Sequence, residues 1–146
     1  LHPNVTQITP NIWVGGKNNP KILITEGFDT VLDLQEYNDF KYKEKLIKNG
    51  IEYLSLKIRD KKSLPVENMD SIVDWVAKKT VEKKKILIHC NLGRGRSVFI
   101  IVAYLIKQGI SLEQALNSVK NKRRVAYVNE EQMTALINFL HFTSTN

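Results

Sequence analysis

The chain has 146 residues, 42% of them hydrophobic and 25% charged, the profile of a globular domain able to bury a substantial core. No apolar run reaches the ~18 residues of a membrane span. No basic stretch followed by an apolar one opens the sequence, so neither a membrane protein nor a secreted one is expected. The net charge of +7 suits an anionic partner, such as a phosphorylated protein or an anionic lipid headgroup. The densest basic runs, Lys83-Lys84-Lys85 and Lys122-Arg123-Arg124, are not interleaved with aromatic residues, which argues against a nucleic-acid module. The single cysteine excludes an internal disulfide and suits a reducing compartment. The expectation is a cytoplasmic protein, taken as a monomer.

Asn11 to Val14 reads as a first short strand. Asn19-Pro20 reads as an N-cap followed by proline at the first helical position, with Gly27 as the stop. Phe28 to Leu34 is apolar and β-prone and reads as a buried strand. Residues 38 to 49 read as a helix that ends at Gly50, a residue suited to a left-handed C-cap. Ile51, Tyr53 and Leu54 to Leu56 make a further strand. Pro65 then opens a helix whose Val66, Met69, Ile72, Val73, Val76 and Ala77 form one apolar stripe, with Asp74 and Lys78 spaced to pair on another face. Lys85 to His89 is a short strand with an apolar centre, and Cys90 to Arg96 is a loop.

Ser97 to Lys107 reads as a helix that is apolar nearly all round, which belongs in the middle of a domain; Gly109 ends it. Ser111 and Gln114 match a capping box for the next helix, with Leu112, Ala115, Leu116 and Val119 inward. Asn129 caps a last helix, with Met133, Leu136, Ile137 and Leu140 inward. Strands interleaved with helices predict one α/β domain over residues 1–146, with a largely parallel central sheet flanked by helices. Ligands of such sheets bind beyond the carboxyl ends of the strands, and Cys90 sits just past one of those ends.

The chemistry concentrates in His89-Cys90-Asn91-Leu92-Gly93-Arg94-Gly95-Arg96-Ser97. A loop between a strand and a helix N-terminus can turn its backbone N–H groups inward, and the helix dipole adds positive potential, which together make an anion cradle from residues 91 to 96. Gly93 and Gly95 permit the dihedrals such a cradle needs. Arg96 can offer two parallel N–H donors to phosphate, a geometry lysine lacks. Cys90 lies where the same field favours a thiolate. His89 is read as a steadying hydrogen-bonder of the loop, Arg94 as an exposed charge with a minor role in phosphate binding, and Ser97 as a hydroxyl close to the Cys90 sulfur. A lone cysteine after an apolar strand is ordinarily a small buried hydrophobe. The arginine six residues on, the glycines and the apolar helix that follows reverse that reading.

With His89-Cys90, five residues, then Arg96-Ser97, and with Gly93 in place, the loop resembles the signature of the protein tyrosine phosphatase superfamily. The chain's size and order of elements resemble the small dual-specificity branch over residues 5 to 142, with Val98-Phe99 as a departure where small residues or threonine are usual. The resemblance implies hydrolysis of phosphate monoesters through a phosphocysteine, without cofactor or metal. The proton donor is read as Asp60, in a polar loop that follows a strand and precedes Pro65, with Asp33 and Glu36 as weaker alternatives. The expected substrates are phosphotyrosine and phosphoserine or phosphothreonine proteins, met in a shallow basic cleft rimmed by Arg59, Lys61, Arg94 and Arg123. A phosphoinositide or inositol phosphate is the alternative substrate. A phosphate-binding module without chemistry and a rhodanese-like sulfurtransferase are the rival functions, and Arg96-Ser97 with the Asp60 loop speaks against the last.

Overall fold

A five-stranded sheet runs through the centre of the computed structural model, which describes residues 3–37 and 39–145. In chain order its strands are β1 (Val5–Gln7), β2 (Ile12–Gly15), β3 (Thr30–Asp33), β4 (Glu52–Ser55) and β5 (Ile86–His89). In space the order is β1-β2-β5-β3-β4, parallel throughout except that β1 pairs antiparallel with β2. The expected largely parallel sheet is therefore present. β1 is an addition: three residues are too short for a periodic signal, and pairing with β2 makes them a strand.

The six helices among the described residues are α1 (Pro20–Thr25), α2 (Phe40–Lys48), α3 (Val66–Val81), α4 (Arg96–Lys107), α5 (Leu112–Lys122) and α6 (Glu130–Ser144). Strand alternation decides which covers which face. Ile12, Val14, Leu32, Ile86 and Ile88 point to one side and share a core with α3, α4, α5 and α6. Trp13, Val31, Tyr53 and Leu87 point to the other and meet Leu23 of α1 with Tyr42 and Leu46 of α2. Each residue of α4 from Arg96 to Ile106 is buried, as its continuous apolar run predicts, and the departing pair Val98 and Phe99 lies in that core.

Local chemistry accounts for most of the helix ends. Asn19 accepts from the Lys21 N–H ahead of Pro20, and Gly27 and Gly50 take positive φ after α1 and α2. α2 is capped by Asp39, which accepts from the Tyr42 N–H; residue 38, where the sequence reading began this helix, lies outside the described residues. Other expectations change. Ser111 accepts from the Gln114 N–H, but the reciprocal half of a capping box is found at α6, between Asn129 and Gln132. Asp74 pairs with Lys107 of α4 at 2.6 Å rather than with Lys78, because α4 packs directly against α3. That ion pair is half in solvent and contributes at most about 1 kcal/mol. Burial of Met69, Ile72, Val73 and Val76, at roughly 1.5–3 kcal/mol each, holds the two helices together. In α6 the inward face is Gln132, Ala135, Leu136 and Phe139, and Ile137 is exposed. The buried polar Gln132 sets the rotation of that helix, and an apolar stripe cannot reveal it.

Candidate active site

His89 ends β5, the central strand, and the loop 90–95 leads from it into α4. The end of β2 and the residues just after it hold this loop down. The Cys90 N–H donates to the Gly15 carbonyl at 3.3 Å, and the Lys17 N–H donates to the Asn91 carbonyl at 2.9 Å. His89 is fully buried between two partners. Its Nδ1 lies 2.9 Å from the Cys90 carbonyl, which can only accept, so Nδ1 carries the proton. Its Nε2 lies 2.9 Å from the Tyr42 hydroxyl and accepts from it, since burial keeps the ring's pKa below its ordinary value despite the Asp33 carboxylate nearby. His89 thus links the Cys90 carbonyl at the start of the loop to the Tyr42 hydroxyl of α2.

Gly93 takes φ +71°, and its N–H donates to the Cys90 Sγ at 3.2 Å. A Cβ at Gly93 would come within 2.5 Å of the Gly15 carbonyl carbon and 2.6 Å of the Gly16 nitrogen, so this position admits only glycine. Gly95 differs from the expectation. Its φ is −124°, and an added Cβ would meet nothing closer than 3.6 Å. The Ser97 hydroxyl lies 3.3 Å from Sγ. Burial pushes the Cys90 thiol up, but the hydrogen bonds from the Ser97 hydroxyl and the Ser97 and Gly93 N–H groups, with the Arg96 guanidinium, outweigh it and leave the thiol below its ordinary pKa.

A cavity of about 640 Å³ opens over the loop. Cys90, Asn91, Leu92, Arg94, Gly95 and Arg96 line its floor. Asp60 and Lys61 line one wall, and Val125, Tyr127, Asn129 and Gln132 line another. Arg96 is buried, with Nη1 donating to the Ile58 carbonyl at 3.1 Å and Nε 3.7 Å from the Asp60 carboxylate. Asp60, 70% exposed, therefore faces the same space as Cys90 and Arg96. The alternatives are engaged elsewhere. Asp33 is buried and accepts from the Tyr53 hydroxyl and from Gln35, while Glu36 accepts the Asp60 N–H at 3.0 Å.

Of the four rim residues expected, Lys61 and Arg94 line the cavity, and Arg59 does not. Arg123 is a correction. It is buried beneath the loop, donating to the Gly93 and Leu92 carbonyls, to Thr6 Oγ1 and to Asn4 Oδ1, so it ties the loop to the N-terminal strand. The basic run 122–124 carries no sign that one of its members faces inward.

Three further residues escaped the sequence reading, and all secure the Asp60 loop. Asn129 Nδ2 donates to the Lys61 carbonyl, Gln132 Nε2 to the Lys62 carbonyl, and Glu131 accepts the Ser63 N–H at 2.8 Å. The Asn129-x-x-Gln132 capping pattern was a visible signal for two of them.

A buried thiol of lowered pKa, ringed by backbone donors and an arginine at a helix N-terminus, describes a phosphate-handling nucleophile site. Comparison with known proteins agrees. The sequence model of the family "Dual specificity phosphatase, catalytic domain" matches residues 12–141. The Arabidopsis thaliana dual specificity protein phosphatase 1 is 40% identical over 79 residues, which are 53% of this chain and 40% of that protein. The crystal structure of Tk-PTP in the active form is 31% identical, with a TM-score of 0.88 over 97% of this chain and 99% of that one. PTPMT1 in complex with PI(5)P shares the fold at 22% identity, with a TM-score of 0.85 over 97% of each chain. The chain belongs to the dual specificity phosphatase catalytic domain family. It is a cysteine-based phosphatase of the dual-specificity type.

Proposed function

We propose that the chain dephosphorylates proteins at phosphotyrosine and at phosphoserine or phosphothreonine, with Cys90 as nucleophile, Arg96 as phosphate clamp, Asp60 as general acid and then base, and Ser97 as stabiliser of the leaving sulfur. The observation that carries this reading is the Cys90 Sγ held at 3.2 Å by the Gly93 N–H and at 3.3 Å by the Ser97 hydroxyl, in one cavity with Arg96 and Asp60. In the first step the thiolate forms an S–P bond as the P–O bond to the substrate breaks, and the Asp60 proton goes to the departing oxygen. The loop N–H groups of residues 91 to 96 and the Arg96 fork hold the equatorial oxygens, where charge is spread. In the second step water attacks phosphorus, its proton passes to Asp60, and the S–P bond breaks with Ser97 donating to the sulfur. Phosphate leaves.

Two features support the substrate breadth. The exposed apolar side chains of Leu92, Val125 and Tyr127 line the cavity and can flank an aromatic ring. Lys61 and Arg94 supply positive charge at the rim. The whole chain is read as one phosphatase domain, working as a monomer in the cytoplasm, where its thiol stays reduced. An inositol phospholipid is the second reading, since two basic rim residues suit several phosphates and the fold neighbour PTPMT1 has been crystallised with PI(5)P.

The test compares kcat/KM for phosphotyrosine and phosphothreonine peptides of identical flanks at low and high ionic strength, with a phosphoinositide alongside. Both peptides should turn over, less efficiently at high salt. Strict phosphotyrosine selectivity that ignores salt contradicts the proposal, and a far higher kcat/KM on the lipid replaces it with the second reading.

A further inference from the structure

The exposed large apolar side chains are unevenly placed. Of the eight among the described residues, Leu92, Val125 and Tyr127 line the catalytic cavity. Tyr37 and Phe40 stand beside it. Tyr37 follows Glu36, which accepts the Asp60 N–H. Phe40 follows Asp39, whose carboxylate pairs with Lys17, and the Lys17 N–H holds the Asn91 carbonyl next to Leu92. Five of the eight therefore ring one opening, at the carboxyl ends of the parallel strands. Ile47 and Val81 lie instead in the last turns of α2 and α3, at the opposite edge, before β4 and β5.

Tyr37 and Phe40 add nothing to the core. They are 85% and 74% exposed, and neither lines the catalytic cavity. The charge around the same opening is mostly positive. Arg59, Lys61, Arg94 and Arg124 are exposed and make no ion pair among the described residues. The carboxylates nearby are largely engaged: Asp39 by Lys17, Glu131 by Lys62 and the Ser63 N–H, Glu36 by the Asp60 N–H, and Asp60 by Arg96. Glu130, at the start of α6, is left against the four free cations.

We propose that this edge docks on an anionic bilayer surface, with Tyr37 and Phe40 on one side of the cavity and Leu92, Val125 and Tyr127 on the other entering the headgroup layer. The basic side chains between them meet anionic headgroups. Aromatic rings and long basic side chains with apolar stems are the residues that settle at a bilayer interface, where one end is dry and the other wet. The apolar groups protrude singly around a basic rim and form no continuous patch. A protein partner would have to match each of them with a fitted hollow, whereas a fluid bilayer moulds to them. Docked in this way, the cavity opens toward the membrane, and Cys90 at its floor meets phosphate monoesters displayed there. The inference concerns where the enzyme works, and it holds for a protein or a lipid substrate.

The test is co-sedimentation of the full chain with vesicles of phosphatidylcholine alone and of phosphatidylcholine with phosphatidylserine. Neither lipid carries a phosphate monoester, so the result is independent of which substrate the enzyme hydrolyses. The chain should bind the anionic vesicles, bind the neutral ones far less, and come off at high salt. Tyr37→Ser/Phe40→Ser should weaken binding by about ten-fold or more, the scale of two partly buried aromatic side chains. The control Ile47→Ser/Val81→Ser, which removes two exposed apolar side chains at the opposite edge, should bind as the full chain does. Both variants should keep the kcat of the full chain on a soluble aryl phosphate, which shows that the fold is intact. A tryptophan placed by Phe40→Trp should shift its emission to the blue on anionic vesicles and be quenched by brominated lipid, and one placed by Val81→Trp should do neither. Absence of binding to the anionic vesicles, equal binding to the neutral ones, or an equal loss in the control overturns the docking face. A lipid-free dimer that Tyr37→Ser/Phe40→Ser dissociates assigns the face to a second copy of this chain and overturns it as well.

Discussion

At Cys90 two opposing effects decide the chemistry. Burial disfavours a thiolate, and three hydrogen-bond donors around the sulfur, with the charge of Arg96, favour it more strongly. The nearest side-chain donor is Ser97, at 3.3 Å. Ser97→Ala removes the hydroxyl bond and leaves the burial, so the thiol pKa should rise toward its ordinary value. The active form needs the thiolate. The acid-side limb of the kcat/KM profile should therefore move to higher pH in Ser97→Ala, while the basic-side limb stays in place. An unmoved acid limb would mean that the backbone donors and Arg96 set the ionisation without Ser97. The two buried arginines divide the remaining work by position. Arg96 faces the cavity with its fork held by the Ile58 carbonyl, and Arg123 faces away from it and holds the loop's own carbonyls. Sequence position alone does not separate a clamp from a brace. Arg96 was legible because it falls at a fixed step from Cys90, and Arg123 was not because three basic residues in a row look alike.

Among the elements, the 59–65 segment and the N-terminus of α6 behave as one unit. Asn129, Glu131 and Gln132 grip the backbone of Lys61, Lys62 and Ser63, and Glu36 grips Asp60 itself, so the carboxylate is held over the cavity. Asp60→Asn should lower kcat by about 10²–10⁴ on an alkyl or simple phenyl phosphate, the usual scale of general acid catalysis. The loss should shrink on an aryl phosphate whose leaving group needs no proton. An equal loss on both would show that Asp60 positions the loop rather than donating. The elements themselves were readable wherever local physics is strong. The Asn19-Pro20 cap, the all-apolar α4 and the glycine stops at 27 and 50 follow from propensity and steric freedom. Pairing and rotation were not readable. β1 exists because β2 offers an edge, and α6 turns Phe139 inward and Ile137 outward because buried Gln132 must reach the Lys62 carbonyl. Of the site, the Cys90-to-Ser97 loop and Asp60 stood out in the sequence. The side chains of Glu36, Arg123 and Asn129 that hold them lie 24 to 68 positions away along the chain from the groups they bond, beyond any local pattern.

Across the whole molecule, the sheet order brings the carboxyl ends of the parallel strands β2, β5, β3 and β4 to one edge, so that edge carries the nucleophile loop after β5 and the Asp60 wall after β4. The opposite faces of the sheet are filled by two separate apolar clusters and contribute rigidity rather than chemistry. Part of the net charge of +7 gains a location in this arrangement, with Lys61 and Arg94 at the cavity over the loop. Everything proposed about the substrate depends on a covalent intermediate on the single cysteine. The direct measurement is rapid-quench trapping during turnover of a phosphotyrosine peptide, followed by mass-spectrometric mapping of the phosphate. The account predicts phosphate on the peptide that contains Cys90, formed with a burst of dephosphorylated product, and neither burst nor adduct in Cys90→Ser. Turnover at an undiminished rate in Cys90→Ser, or a phosphate mapped to any other residue, would contradict it.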